Sequence, residues 1–170
     1  MIGVVKALRS LGEVARRSAD AHLQVYFEEH LQVSSWYSEK DNRDLTLLLG
    51  ELLRSSVRGD VWHALGATGA ERDFTGAYAA AVRVGDPEWT IRRMPEGWRQ
   101  FHDSGDLSVV DSARGTARMR LTAFPVMCPQ IAQVNAGYFE GVLRVVGVSQ
   151  PRVEVLSSDA RSAAWKLTWK

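Results

Sequence analysis

The side chains best suited to metal binding are few and widely spaced in this chain. Its four histidines are His22, His30, His63 and His102. His22 and His30 fall in one predicted helix, about 12 Å apart along the axis at roughly 1.5 Å per residue, which is too far for a shared metal ion. No Cys-x-x-Cys or His-x-x-x-His pair occurs, and structural zinc sites are usually built from such pairs. The sequence therefore predicts neither a metal nor any other cofactor.

Cys128, the only cysteine, has the chemistry of a nucleophile. It precedes Pro129 at the start of a predicted helix, and a helix N-terminus favours a thiolate. Catalysis would also require a neighbouring base, and the sequence places none there. The alternative is a small buried hydrophobic side chain, which we favour. Because no acid–base pair or activated nucleophile can be assembled, we expect the protein not to be an enzyme.

Composition limits the classes of partner. The chain has 170 residues, a formal net charge of +1 and 45% hydrophobic residues, which suits one domain over 1–170 with its own core. No run of five like charges and no apolar stretch long enough to span a bilayer occurs, so we expect a cytoplasmic protein that binds neither nucleic acid nor membrane.

A group of arginines offers one exception to that reading. Arg92, Arg93, Arg99, Arg114, Arg118 and Arg120 lie close in sequence to Trp89, Trp98 and Phe101. Single-stranded nucleic acid can be bound by such a mixture. A solvated helix and the outer face of a strand explain the same residues, with arginine stems covering apolar surface, and we favour that interpretation.

The first two thirds of the chain have helical periodicity. Apolar residues recur at helical spacing from Gly12 to Leu31 and again from Glu39 to about Ser55, after a capping Ser38. A helix that begins near Val61 would weaken at Gly66 and Gly69. Further helices are predicted over 71–84 and, after the turn Gly85-Asp86-Pro87, over 89–101, where Pro95 would be the point of any interruption.

The last third alternates as strands do. Strands are predicted over 107–111 and 117–123 with a turn at Arg114-Gly115, and a second hairpin pairs a strand around Val153 and Val155 with 164–169. A helix over 129–146 separates the two hairpins. The fold class is therefore α+β: several N-terminal helices, then hairpin, helix and hairpin, with one four-stranded antiparallel sheet covered by helices.

Two glycines in the helix over 129–146 indicate a close neighbour. Gly137 and Gly141 are four residues apart and share a face, although each glycine costs a helix interior roughly 1 kcal/mol relative to alanine. The sheet beneath, a partner helix or a ligand could each approach the backbone there. The sequence leaves these three alternatives open.

Short motifs along nearly the whole chain carry a family resemblance. They are Trp36-Tyr37, Gly76-Ala77-Tyr78, Gly85-Asp86-Pro87, Pro95-Glu96-Gly97-Trp98, Cys128 with Gly137 and Gly141, and Lys166-Leu167-Thr168-Trp169. This succession resembles the bacterial 4-vinyl-reductase-type domains, especially their myxobacterial relatives of unassigned function. It is more distantly similar to haem-nitric-oxide-binding domains and to TRAPP transport-particle subunits. The resemblance implies helices on a twisted antiparallel sheet, an apolar cavity between them, and a role as small-molecule sensor or dimerising adaptor.

The chain also departs from these relatives. Many carry cysteines in the last hairpin that could bind a metal, whereas the matching stretch 157–163 has none. Haem-binding relatives carry tyrosine, serine and arginine at alternating positions and an axial histidine on a helix. No such triplet is found here, and nothing in the sequence supports His102, near a helix end, as that ligand.

Together these observations predict a non-catalytic, small-molecule-binding sensor or regulatory domain. An apolar ligand would bind between the 129–146 helix and the sheet. The residues expected to line this site are Met119, Leu121, Cys128, Tyr138, Val142 and Trp165. The alternative is a homodimerising protein–protein interaction or adaptor module without a ligand, formed through helices of the first half of the chain.

Overall fold

Seven α-helices, two 3₁₀ turns and four strands make up the described residues 1–32, 35–76 and 78–170 of the computed structural model. The helices are α1 (Ile2–Ser10), α2 (Glu13–Ser18), α3 (Val25–Glu28), α4 (Glu39–Leu53), α5 (Val61–Thr75), α6 (Pro87–Phe101) and α7 (Pro129–Val145). The strands are β1 (Asp106–Ala113), β2 (Thr116–Thr122), β3 (Arg152–Ser158) and β4 (Ala163–Thr168), and the 3₁₀ turns are Ala21–Leu23 and Ala79–Ala81. Within these ranges no helix is both long and apolar enough to cross a bilayer.

The chain divides into two compact units, Met1–Val61 and Trp62–Lys170. The first unit is helical and the second contains the whole sheet. One domain over 1–170 stays a prediction.

In the first unit, the apolar periodicity continues past the end of α2, and a side chain contributes to ending that helix. The single helix predicted from Gly12 to Leu31 is wrong, because α2 ends at Ser18 and Ala19 is extended. The Gln24 amide donates hydrogen bonds to the carbonyl oxygens of Arg16 (2.8 Å) and Ala19 (2.9 Å), which satisfies the last carbonyls of α2. The helix after Ser38 is confirmed as α4, and the Ser38 hydroxyl accepts a hydrogen bond from the Asp41 amide at 3.2 Å. The patterns above do not predict α1.

In the second unit, α5 continues through the glycines expected to weaken it. It runs past Gly66 and Gly69 to Thr75, so a break there is wrong, and the helix predicted over 71–84 ends at Thr75 instead. Tertiary packing explains the continuity: a Cβ at Gly66 would lie 1.9 Å from the Val134 carbonyl oxygen of α7, so the glycine is required by a neighbouring helix. The α6 helix also passes through Pro95 without a break.

The two predicted hairpins are present, and the predicted α+β fold class is confirmed. All neighbours are antiparallel and the strand order is β1-β2-β4-β3, so β1 and β3 are the edges. Gly115 has a φ of 77° in the first hairpin turn, a conformation that favours glycine. Met119 pairs with Trp165 across the two central strands. These residues point to the inner face, against which α7 and α6 pack.

Candidate ligand-binding site

Three of the six predicted site residues meet on the inner face of the sheet. Met119, Leu121 and Trp165 are fully buried and belong to one hydrophobic cluster. The Trp165 indole nitrogen donates a hydrogen bond to the Ala132 carbonyl oxygen of α7 at 2.9 Å. The Phe139 ring packs edge-on against the indole, with 5.2 Å between ring centroids. These side chains therefore contact α7 directly and occupy the layer between helix and sheet.

The other three residues lie on different sides of α7. Cys128 is the N-cap of the helix, half-buried against the same cluster, and its side chain makes no capping hydrogen bond. Tyr138 faces α5 instead, with its hydroxyl 3.4 Å from an Asp73 carboxylate oxygen and its ring edge-on to Phe74. Val142 is buried but lies outside that cluster. The structure thus does not bring the six together as one wall, and their contact with a ligand stays a prediction.

The close neighbour of the α7 glycines is α5. A Cβ at Gly137 would lie 1.9 Å from the His63 carbonyl oxygen, and one at Gly141 would lie 2.6 Å from the Ala67 carbonyl oxygen. With Gly66 against Val134, the two helices touch backbone to backbone at three glycines. The neighbour is thus a helix of the same chain, and the sheet, partner helix and ligand that the sequence left open are not needed to explain these glycines.

A cleft of about 650 Å³ follows α7 and the edge strand β3. Its lining residues are Gln133 and Glu140 from α7, Arg152, Val153, Glu154 and Val155 from β3, and Lys166 and Thr168 from β4. The cleft lies along the predicted helix and sheet, but it is lined mainly by polar residues and by none of the six predicted side chains. One sequence signal was available: Gln133 and Glu140 are polar positions two turns apart on an amphipathic helix.

The charges of the cleft differ in how they are neutralised. The Glu140 carboxylate is nearly buried, accepts a hydrogen bond from the Arg144 guanidinium and lies 3.4 Å from the His63 imidazole. Arg152, Glu154 and Lys166 are exposed and form no ion pair with any residue in the described ranges. Two free cations against one free carboxylate favour a ligand that carries an anionic group.

Solved structures define the class of fold. An oxygen-binding H-NOX domain related to soluble guanylate cyclases, in its oxygen complex, is 14% identical with a TM-score of 0.65, over 99% of this chain and 93% of that chain. A mutant H-NOX of T. tengcongensis is 12% identical with a TM-score of 0.66, over 99% and 94%. An H-NOX structure that probes the function of haem distortion is 13% identical with a TM-score of 0.67, over 98% and 91%. The predicted distant likeness to haem-nitric-oxide-binding domains is thereby confirmed for the fold alone.

The chain itself belongs to the family described as "Protein of unknown function (DUF2378)", whose model matches residues 54–170. No curated protein matches the sequence. The likeness to 4-vinyl-reductase-type domains and to TRAPP subunits stays a prediction.

The residues that the structure describes do not fit a haem. The His102 imidazole is stacked on Trp98, with 3.8 Å between ring centroids, and meets the Phe124 ring edge-on at 5.8 Å. His63 lies beside Glu140, and His22 lies 3.6 Å from an Asp44 carboxylate oxygen. The cleft residues include no histidine, cysteine, methionine or tyrosine to ligate iron. Within the part of the chain that the structure describes, no group of three or more metal-ligating side chains forms either.

Proposed function

We propose that this protein is a non-catalytic, ligand-binding regulatory domain whose ligand binds in the cleft between α7 and β3. The observation that carries the proposal is the contrast between two places on α7. The layer behind Trp165 is occupied by packed side chains, whereas the cleft beside β3 has about 650 Å³, within the roughly 300–1,000 Å³ of small-molecule pockets. The H-NOX-like fold supports a sensor role, since the structural neighbour described above binds oxygen.

The lining selects a small organic anion with an apolar part. Arg152 and Lys166 are unpaired cations on the outer-face side of the β3 edge, from which they would bind a carboxylate or phosphate group. Val153 and Val155 are half-buried and offer apolar contact between them. The Gln133 amide can donate and accept hydrogen bonds, so it would fix the orientation of the ligand.

The same lining supports binding rather than catalysis. Its residues include no cysteine, serine or histidine, the Glu140 carboxylate is already engaged by Arg144 and His63, and the free Glu154 carboxylate is exposed on the outer strand edge. A carboxylate held in two such contacts is a poor general base.

The test is native mass spectrometry of freshly purified protein, followed by a thermal-shift screen of small carboxylates and phosphates. At a ligand concentration about 100 times Kd, binding contributes roughly 2.7 kcal/mol and raises Tm by about 5–10 °C. We expect Arg152→Gln to abolish the shift and Arg161→Gln, an exposed arginine of the β3–β4 loop, to retain it. Equal shifts in both variants would show that the ligand binds elsewhere.

A second candidate, the homodimeric interaction module, has one observation in its favour. Val14, Val25 and Trp36 of the first unit are large hydrophobic residues that are 64%, 41% and 66% exposed. Exposed apolar side chains of this kind often mark protein interfaces. Sedimentation equilibrium at micromolar concentration tests this candidate function. A wild-type dimer that Trp36→Ser converts to a monomer would support it, and a monomeric wild type would contradict it.

A further inference from the structure

Three cations lie together on the outer face of the two central strands. Arg118 and Arg120 of β2 and Lys166 of β4 are all exposed, and they alternate with buried inner-face residues such as Met119 and Trp165. The centre of this outer face is therefore cationic.

One contact among these cations opposes folding stability. Arg118 pairs directly with Lys166 in the β2–β4 ladder, and like charges in that position destabilise a sheet. On their other sides Arg118 lies opposite Asp111 and Lys166 lies opposite Glu154. Arg118 has one counter-ion, Asp111, at 2.7 Å. Arg120 and Lys166 form no ion pair with any of the described residues. Arg120 has no carboxylate opposite it on either neighbouring strand, so an external anion could complete the charge balance there.

The acidic residues of this face are confined to its margins. Asp106 and Asp111 lie on the edge strand β1, and Glu154 lies on the edge strand β3. Between them the central strands expose only short side chains besides the cations, namely Thr116, Thr122, Ala164 and Thr168. The short side chains leave the cations accessible to the carboxylates of a partner, and a complementary partner has its carboxylates at the centre of the contact.

The outward-facing residues of β2 and β4 also distinguish a nucleic acid from an acidic protein segment as the anionic partner. The outward positions of β2 and β4 include no aromatic residue, so nucleic-acid bases have no platform on which to stack. Arg120 and Lys166, which form no ion pair with the described residues, nevertheless favour an anionic partner. We propose that the outer sheet face, centred on Arg118, Arg120 and Lys166, docks an extended acidic segment of a partner protein.

This docking surface goes beyond the ligand cleft, and the two share Lys166, Thr168 and Glu154 but neither arginine. The arginines are therefore the residues to change. The probe is a fluorescein-labelled peptide of alternating glutamate and serine, compared with the same peptide carrying glutamine for glutamate. Fluorescence anisotropy reports its binding to the full chain at about 0.1 M and about 1 M salt, where the Debye lengths are roughly 10 Å and 3 Å.

We expect the glutamate peptide to bind at the lower salt and the glutamine peptide not to bind. Arg118→Gln with Arg120→Gln should weaken the Kd about tenfold, and Arg120→Gln alone, opposite only Ser108 and Ala164, about threefold. Arg99→Gln removes an exposed charge from α6 and should leave Kd unchanged. The thermal shift from a cleft ligand should persist in the double variant, which separates this proposal from the proposed function.

Three results would overturn the docking surface. One is the absence of binding at the lower salt, and another is an equal loss of affinity in Arg99→Gln and Arg120→Gln. The third is a single-stranded DNA of equal charge that binds as tightly as the peptide, because the face would then attract any polyanion. The urea midpoint of each variant is measured beside its affinity, and the single Arg120→Gln variant decides the outcome if the double variant is unfolded.

Discussion

The Tyr138 hydroxyl is the residue-scale feature with the clearest energetic consequence. It lies in the α5–α7 contact, 3.4 Å from the Asp73 carboxylate. Burial of the ring, together with the negative charge of Asp73 and the hydrogen bond to it, raises the pKa of Tyr138 above its ordinary value of 10.0. In the first unit, burial and the hydrogen bond from its hydroxyl to Asp41 raise the pKa of Tyr26 in the same direction.

These shifts predict a loss of stability at alkaline pH. Below pH 10.0 both folded and unfolded Tyr138 are protonated, so the stabilisation is complete there. Above that pH the unfolded tyrosine loses its proton while the folded one keeps it, and unfolding is favoured by up to about 1.4 kcal/mol per pH unit for one group. We expect the free energy of unfolding to fall less steeply above pH 10 in Tyr138→Phe than in wild type. Urea titrations at intervals from pH 8 to 11 measure both slopes, and parallel slopes would contradict the prediction.

At the scale of elements, the contact between α5 and α7 depends on missing side chains. The glycines at 66, 137 and 141 let the two backbones meet, and this packing offsets the intrinsic helix cost of roughly 1 kcal/mol each. Beside the glycines, Glu140 links α7 to His63 of α5. Gly66 and Gly137 therefore play a packing role that helix propensity alone would not assign to them.

The chain offers a matched pair of glycines to test this role. A Cβ at Gly137 would meet the His63 carbonyl oxygen at 1.9 Å, whereas one at Gly97 in α6 would meet nothing within 4 Å. We expect Gly137→Ala to lower the free energy of unfolding by about 1–3 kcal/mol through overpacking. Gly97→Ala should raise it by up to about 1 kcal/mol through helix propensity. Urea denaturation measures both changes, and a stabilised Gly137→Ala would mean that the helices are not in backbone contact.

The elements that could be predicted are those whose pattern is local. Alternation placed β2 and β4, and the 3.6-residue period placed α7, because each buries one face. The errors at 12–31 and at Gly66 have non-local causes, since Gln24 ends α2 across a turn and α7 supports α5. The cleft escaped prediction for a related reason. The α7 helix covers the edge strand only in part, so that Val153 and Val155 stay half-buried. The extent of this cover depends on tertiary packing, which the periodicity of the sequence does not encode.

At the scale of the whole molecule, both proposed surfaces belong to one part of the chain. The unit Trp62–Lys170 contains the cleft and the outer sheet face. The family match over 54–170 covers this unit completely. The exposed hydrophobic residues that favour the second candidate function belong to Met1–Val61. The proposed binding surfaces and the alternative dimer surface thus lie on separate segments, so each proposal can be tested by changes that leave the other segment unaltered.

The division into Met1–Val61 and Trp62–Lys170 leads to a prediction about cooperativity. A segment of about 60 residues buries only roughly 60% of its unfolded surface and is marginal alone, so we expect both units to unfold together as one domain over 1–170. Hydrogen exchange followed by mass spectrometry, at increasing urea, reports the two segments independently. The most protected amides of α4 and of β4 should then give the same free energy of opening and the same dependence on urea. Exchange of α4 at lower urea, while β4 stays protected, would show that the chain folds as two domains.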